Sequence, residues 1–388
     1  MQMIKGLNGI PLKINDNGEA SIETTDIQEL LTRLVVPTRK LPMQLPVQIE
    51  LIPTGENRVK DLGKNGTVYA INSGQLIILK STDWGANFTT VATMSSTISQ
   101  LRKLDNGAIL VACFDGTLWL SDVNEANFIK VHTYETPGSY CSPNFGLKVY
   151  GNIIIIGEYG GSSLPNNPRR AYISDDYGKT WRKVFEGLNI NDYHLHDVAY
   201  DVYENLLWAC CGNLLSQRLF HYSDDMGKTW NTIADNLPDP TITQIIPLPN
   251  CVLFGSDDQS VSVWRYDRNQ RGQYNRSVKL TKAWGVRGSW STSIPYITGS
   301  YVHQGADAFA VFGYVQNSLD VKLPSALYYT NNGYDFTCLW STMHLPTASN
   351  SNVGVNHVYG MTDDGYLVAS IRDVKNGNEY WMLKVKIA

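Results

Sequence analysis

The chain has 388 residues, of which only 18 % are charged, with 32 glycines and 22 tyrosines; it is long enough for one large all-β unit or two to three average domains. Its net charge of −4, without a long Lys/Arg cluster, argues against non-specific binding to nucleic acid or to an anionic membrane. No apolar run approaches the ~20 residues of a membrane span, and the start, Met1-Gln2-Met3-Ile4-Lys5, lacks the apolar stretch of a secretory signal, which predicts a protein made in the cytoplasm.

Residues 1–46 differ from the rest. Pro11–Asn15 and Ala20–Glu23 read as short strands around the turn Asp16-Asn17-Gly18, a strong hairpin signal. Thr25 to Leu34 reads as a helix capped by Thr25 or Asp26, with one apolar stripe at Ile27, Leu30, Leu31 and Leu34. Pro37, Pro42 and Pro46 then exclude further helix. A hairpin and one helix bury too little to stand alone. Residues 1–46 are therefore expected to be a docking or oligomerisation arm, or a flap on the remainder, 47–388.

From Val47 onward short strands follow at even spacing with almost no helical period. One four-strand unit runs from His194 to Asp235. The unit before it reads Phe145–Tyr150, Ile153–Gly157, Ala171–Ile173 and Trp181–Phe185, and the one after reads Ile242–Leu248, Val252–Gly255, Val261–Tyr266 and Val278–Leu280. Extending the register gives seven units, or six if one irregular segment is an insertion. The last lacks a fourth strand, which Val47–Ile52 could supply, leaving no open edge.

An eight-residue phrase punctuates these units. Ser174-Asp175-Asp176-Tyr177-Gly178-Lys179-Thr180-Trp181 returns as Ser223-Asp224-Asp225-Met226-Gly227-Lys228-Thr229-Trp230. Looser copies run from Ser81 to Phe88, with Asp83 and Gly85, and from Tyr329 to Phe336, with Asn331, Gly333 and Phe336. A faint echo, Ser121 to Phe128, has lost the glycine. The Asp accepts hydrogen bonds from the amides of its own turn, the Gly supplies a left-handed backbone, and the terminal aromatic returns the chain to the core. Asp83, Asp176 and Asp225 are thus expected to fasten turns. The phrase resembles the Asp-box, or BNR repeat, of sialidase-like β-propellers, in particular the branch common in bacteriophage tail and receptor-binding proteins. The resemblance spans about 48–388 and implies an all-β propeller.

The catalytic set that a sialidase resemblance implies is missing: there is no Arg-Ile-Pro near the start, and Thr38-Arg39-Lys40 and Asn57-Arg58-Val59 do not replace it. A two-carboxylate glycoside hydrolase could draw on Glu158, Asp197, Asp201, Asp257 or Asp258, each equally explained as a turn or cap residue. Cys113, Cys210, Cys211 and Cys251 lie in apolar runs and read as buried thiols, and the seven histidines show no metal-binding spacing, so neither metal nor cofactor is expected.

Ligand-binding candidates are Glu158 and Tyr159, following a strand expected to line the central channel, the one-face pair His194 and His196, and Arg170 on the lip of the loop 160–170. The segment Trp284-Gly285-Val286-Arg287-Gly288-Ser289-Trp290 reads as a loop in which Trp284 and Trp290 offer stacking faces to a sugar beside the Arg287 guanidinium. Packing between units explains the two tryptophans equally well. The expectation is a virion tail protein, oligomeric in the particle. It would be held by other tail proteins through 1–46 and would bind host surface polysaccharide or serve as a platform; the alternative is a glycoside hydrolase.

Overall fold

The computed structural model describes residues 2–5, 11–14, 20–21, 47–142, 146–160, 169–187, 195–211, 219–233, 242–256, 262–268, 281–285, 296–304, 307–315, 326–341, 353–362, 364–373 and 379–387. Every element among them is a β-strand. The chain divides into two compact units, Met1–Leu45 and Pro46–Ala388.

In the first unit Gln2–Lys5, Pro11–Ile14 and Ala20–Ser21 form a three-stranded antiparallel sheet, with Lys13 opposite Ser21. The strand Gln2–Lys5 was not expected from sequence. The turn at 16–18 and the helix over 25–34 lie outside the described residues.

The second unit is a β-propeller. Six of its four-stranded antiparallel sheets are continuous in sequence. A seventh is composite: Val353–Met361, Tyr366–Asp373 and Glu379–Ile387 are completed by Val47–Gly55, whose Leu51 pairs with Leu383. This closure ties the two ends of the unit together by a backbone ladder. We number the blades from the first continuous sheet. Blade 1 is Arg58–Leu62, Val68–Ile71, Ile77–Ser81 and Thr89–Thr93; blade 2 is Ile98–Lys103, Ile109–Cys113, Thr117–Leu120 and Ile129–Thr133; blade 3 is Leu147–Tyr150, Ile153–Gly157, Arg170–Ser174 and Arg182–Glu186. Blade 4 is Leu195–Asp201, Leu206–Cys211, Leu219–Ser223 and Asn231–Ile233; blade 5 is Ile242–Pro247, Cys251–Ser256, Ser262–Asp267 and Thr281–Gly285; blade 6 is Tyr296–Gln304, Asp307–Val315, Ala326–Thr330 and Thr337–Ser341; the composite sheet is blade 7.

The strand sequences follow from position in the blade. Second strands have neighbouring blades on both faces, so they are continuous apolar runs: Ile154, Ile155 and Ile156, and every residue of Leu206–Cys211, are buried. Fourth strands lie at the rim and tolerate threonine, as in Thr89–Thr93, and lysine, as in Ile129–Thr133. The core is therefore divided into separate clusters between neighbouring blades. Between blades 4 and 5, Trp208 stacks on Phe220 at 5.0 Å and meets Tyr266 at 5.7 Å. Between blades 7 and 1, Val368 and Met382 pack on Val59, Val68 and Ala70, which completes the ring. Cys113, Cys141, Cys210, Cys211 and Cys251 are buried, and burial pushes the thiols of Cys113 and Cys141 up to about 12.

The repeated phrase builds the turn from third to fourth strand. In blade 3 the Ser174 hydroxyl donates to Asp176 Oδ1 (2.8 Å) and accepts from the Gly178 amide (2.8 Å); Asp176 accepts from the Lys179 and Thr180 amides (3.0 and 2.9 Å) and the Thr180 hydroxyl (2.7 Å). Blade 4 repeats these bonds with Ser223, Asp225, Gly227 and Thr229. Two consecutive residues take the left-handed backbone, Tyr177 and Gly178 (φ 61° and 82°), and likewise Met226 and Gly227 (φ 59° and 84°). The aromatic ends anchor differently. Trp181 Nε1 donates to Gly178 O of its own turn, whereas Trp230 Nε1 donates to Val184 O in blade 3, at 2.9 and 2.5 Å. In blade 1 Asp83 plays the same part, with Asn87 in place of threonine and Gly85 at φ 90°.

Three expectations need correction. In blade 6 the anchor is Asn332, not Asn331. Thr330 Oγ1 accepts from the Gly333 amide three residues on, so the turn is one residue shorter, and Asn332 Oδ1 receives the Tyr334 and Asp335 amides. The described fourth strand of blade 5 is Thr281–Gly285, which puts Trp284 opposite Val263, in a strand and not a loop; Val278–Leu280 lie outside the described residues. Ile153–Gly157 is a second strand, so Glu158 and Tyr159 follow a strand one removed from the channel.

Candidate functional site: a groove on the box face

In an antiparallel four-strand meander the first and third turns open to the same end of the sheet. The box turns and the first hairpins of the blades therefore share one face of the propeller. On that face the first hairpins of blades 1, 2 and 7 and the box turn of blade 1 surround a groove of about 830 Å³. Its lining includes Asp61, Lys64, Trp84, Asp105, Tyr359 and Asp364.

One wall is held by Glu125. The Tyr69 hydroxyl donates to Glu125 Oε1, Lys103 Nζ lies 2.7 Å from Oε1, and Lys80 Nζ lies 2.8 Å from Oε2. Burial works against ionisation of Glu125, but the bonds from Lys103, Lys80 and Tyr69 outweigh it and hold the carboxyl at about 2. Burial first, then the bond to Glu125 and its charge, push the Tyr69 phenol well above its ordinary value. Deeper in, Asp61 Oδ2 accepts from the Lys103 amide at 2.6 Å; burial raises this carboxyl, opposed by the nearby Arg102 charge. Trp84, at φ 62° in the blade 1 box turn, is partly buried, with the Lys384 ammonium 4.1 Å from its ring centre and Glu50 2.8 Å from that ammonium.

Glu125, Tyr69, Lys80 and Lys103 were not singled out from sequence. The only signal was the loss of glycine in the faint echo 121–128. There Asp122 anchors the turn through the Asn124 and Ala126 amides (2.9 and 3.0 Å), and the left-handed positions move to Glu125 and Asn127 (φ 64° and 47°).

The structure gives the sequence-derived candidates other work. Glu158 is fully buried; its carboxylate accepts from the Thr136 hydroxyl (2.6 Å), the Tyr172 hydroxyl (2.7 Å) and the Glu135 amide (3.0 Å). This is a tyrosine–glutamate pair, but a closed one: Tyr172 is 1 % exposed, stacks on Tyr134, and burial followed by the Glu158 charge pushes its phenol up, the opposite of an activated nucleophile. Arg170 begins a strand, and its guanidinium is shared among Thr136, Glu186 and Glu135. Tyr159 pairs by its backbone with Tyr140. His196 is buried with Nδ1 2.9 Å from Ile242 O. Asp197 is buried and accepts from Lys148 and from the Ile245 amide (2.8 Å); burial raises it and Lys148 opposes. Asp201 is clasped by Arg268 at 2.7 and 3.0 Å. His194, Asp257, Asp258, Arg287 and Trp290 lie outside the described residues.

Among solved structures the second unit is similar to the protein described as U3-55K (TM-score 0.57, 11 % identity, covering 87 % of this chain and 98 % of that one). It is similar to YCF48 from Cyanidioschyzon merolae (TM-score 0.56, 11 % identity, 87 % and 98 %). An ancestral GH74 enzyme also matches (TM-score 0.54, 13 % identity), over 85 % of this chain and 47 % of that one. At such identities the likeness is one of fold, the β-propeller. No protein-family model and no curated protein matches the sequence.

Proposed function

We propose that this chain is a non-hydrolytic binding propeller of the Asp-box class, carried on a virion tail, that recognises host surface polysaccharide through the groove on its box face. The observation that supports it is the contrast in how carboxylates are used. Glu158, Asp197 and Asp201, which could serve as acid and base, are buried and bonded within the fold. The groove meanwhile combines the aromatic rings of Trp84 and Tyr359 with exposed hydrogen-bonding groups at Lys64 and Asn65, the pairing that saccharides need for stacking and hydroxyl recognition. Weak affinity per site is raised by several copies on one particle. The tail assignment draws on the repeated box and on the separate first unit, which suits a docking arm.

The test is retention of the full chain on host cell-wall or capsule polysaccharide. Lys64→Ala with Asn65→Gly, which keeps the left-handed backbone of Asn65 (φ 55°), should lower retention about fivefold or more at an unchanged melting temperature, with no release of reducing ends from wild type. Retention unaffected by the double variant would sink the groove assignment. Particles lacking the chain when 1–45 is deleted would support the docking arm. A second reading, a glycoside hydrolase, is favoured by one feature, the burial-raised Asp61 carboxyl in the groove wall, which has the character of a general acid. Release of reducing ends that vanishes in Asp61→Asn would establish it.

A further inference from the structure

The inner strands of the propeller carry a concentration of positive charge that the fold does not neutralise. Other embedded cations among the described residues sit on carboxylates: Lys80 and Lys103 on Glu125, Lys148 on Asp197, Arg265 on Asp267, Arg268 on Asp201, Lys384 on Glu50. Arg58 and Lys60, two apart on the inner strand of blade 1, and Arg102 on the inner strand of blade 2 are partly buried yet have no carboxylate within 4 Å among the described residues. Their bonds go to neutral acceptors. Lys60 Nζ donates to Ser99 O at 2.9 Å; Arg102 Nη1 donates to Lys60 O at 3.0 Å, Leu101 O at 2.9 Å and Gln100 Oε1 at 3.3 Å. Arg58 Nε is buried without a hydrogen-bond partner, and its guanidinium carbon lies 5.6 Å from the centre of the Tyr380 ring.

An unpaired, partly desolvated cation is costly, and three acting on one another cost more. Burial first, then Arg102 and Arg58, pull the Lys60 ammonium down to about 7, and burial, then Arg102 and Lys60, drive His357 on the inner strand of blade 7 well below its ordinary value. The other titratable groups facing Lys60 are Cys141, whose thiol burial raises, and Asp61 beside it on its own strand. The cluster lies next to the groove along the chain. Asp61, Leu62, Lys103 and Tyr359 line the groove, and Lys60, Arg102 and His357 follow one or two residues further in on the same three strands.

We propose that Arg58, Lys60 and Arg102 form a binding site for a tetrahedral oxyanion of the phosphate or sulfate class, free or carried by a sugar in the groove. Three separate donor groups on two strands suit an anion with several oxygens, and arginine offers it a fixed fork of donors. Only the sugar-borne form rests on the polysaccharide reading.

The test is calorimetric titration of the full chain with sodium sulfate, glucose 6-phosphate and glucose at ionic strength held constant with chloride. Saturable sulfate binding is expected, weakened about tenfold or more by Lys60→Met with Arg102→Gln and unchanged by Lys130→Met on the exposed rim. The double variant removes mutual repulsion but also the bonds to Ser99 O, Lys60 O and Leu101 O, so its melting temperature is recorded beside the titration. Sulfate keeps its charge between about pH 6 and 9, so its affinity for wild type should fall as Lys60 loses its proton through about 7. No saturable sulfate binding, binding untouched by the double variant, or a flat pH profile would each overturn the site. Glucose 6-phosphate binding no tighter than sulfate would overturn the sugar-borne form alone. Polysaccharide retention without any anion effect would overturn this site and leave the polysaccharide reading standing.

Discussion

The box turn of blade 4 and the degenerate one of blade 2 occupy equivalent places, between third and fourth strands, and spend their residues differently. In blade 4 everything is consumed by the fold: Asp225 is saturated by its own turn, Gly227 lies against Val184 of blade 3, and Trp230 bonds the Val184 carbonyl. In blade 2 the glycine is gone. Asp122 still fastens the loop, but the left-handed site is taken by Glu125, whose carboxylate turns inward to hold Tyr69, Lys80 and Lys103 beside the groove. Losing a structural glycine cost some backbone ease and placed a charged group at the candidate site. A left-handed residue with a side chain is more expensive than glycine, and such positions gather where a side chain has to be aimed.

The sharpest way to break this comparison is Gly227→Ala. A Cβ there would lie 2.6 Å from Val184 Cβ and 2.7 Å from its carbonyl oxygen, at φ 84°. Denaturant unfolding should show a loss of about 2–4 kcal/mol. Ala126→Gly in the degenerate turn should stay within about 1 kcal/mol. Similar losses at both positions would mean the blade 2 turn is as tightly built as the blade 4 turn.

Next in size is Glu125→Gln, which removes the counter-charge of two partly exposed lysines. We expect a loss of about 1–2 kcal/mol, with screening already discounted, and a more basic groove. Unchanged stability would show that Glu125 organises nothing.

Acid should separate the same groups. Glu125 is held at about 2 by the bonds that outweigh its burial, Asp225 at about 2 by the Thr229 hydroxyl and amide, and Asp83 at about 2 by Ser81 and Asn87. Folded values below the unfolded ones contribute stability that is complete above about pH 4–5 and is lost as pH falls through about 2. Thermal melts should decline over that window, and Glu125→Gln should flatten part of the decline. A melting temperature constant from pH 5 to 2 in wild type would contradict the pairing.

The smallest effects are expected from Asp176→Ala and Asp122→Ala, since both carboxylates are at the surface. Each should lower the melting temperature by about 2–4 °C. If only Asp176→Ala does so, the degenerate turn is not fastened by its aspartate.

The sequence by itself determined the repeat, the strand period and the closure. Glycine spacing, Asp chemistry and apolar second strands are local requirements, written where they act, and Val47–Ile52 could be matched to the open sheet because a missing fourth strand is a deficit visible by counting. It also marked Asp176 and Asp225 as fasteners, because the groups they bond lie within four residues. Only the tertiary structure decided where the charges meet. Tyr69, Lys80, Lys103 and Glu125 come from two blades, and Arg58, Lys60 and Arg102 from two inner strands up to 44 positions apart, so no spacing rule announces them. For the same reason Glu158, Arg170 and His196 looked available in sequence and are not. Their partners Thr136, Tyr172, Glu186 and Ile242 reach them only once hairpins form and neighbouring blades pack. In a propeller, local chemistry writes each blade, and the closing of the ring decides which side chains are left to face a ligand.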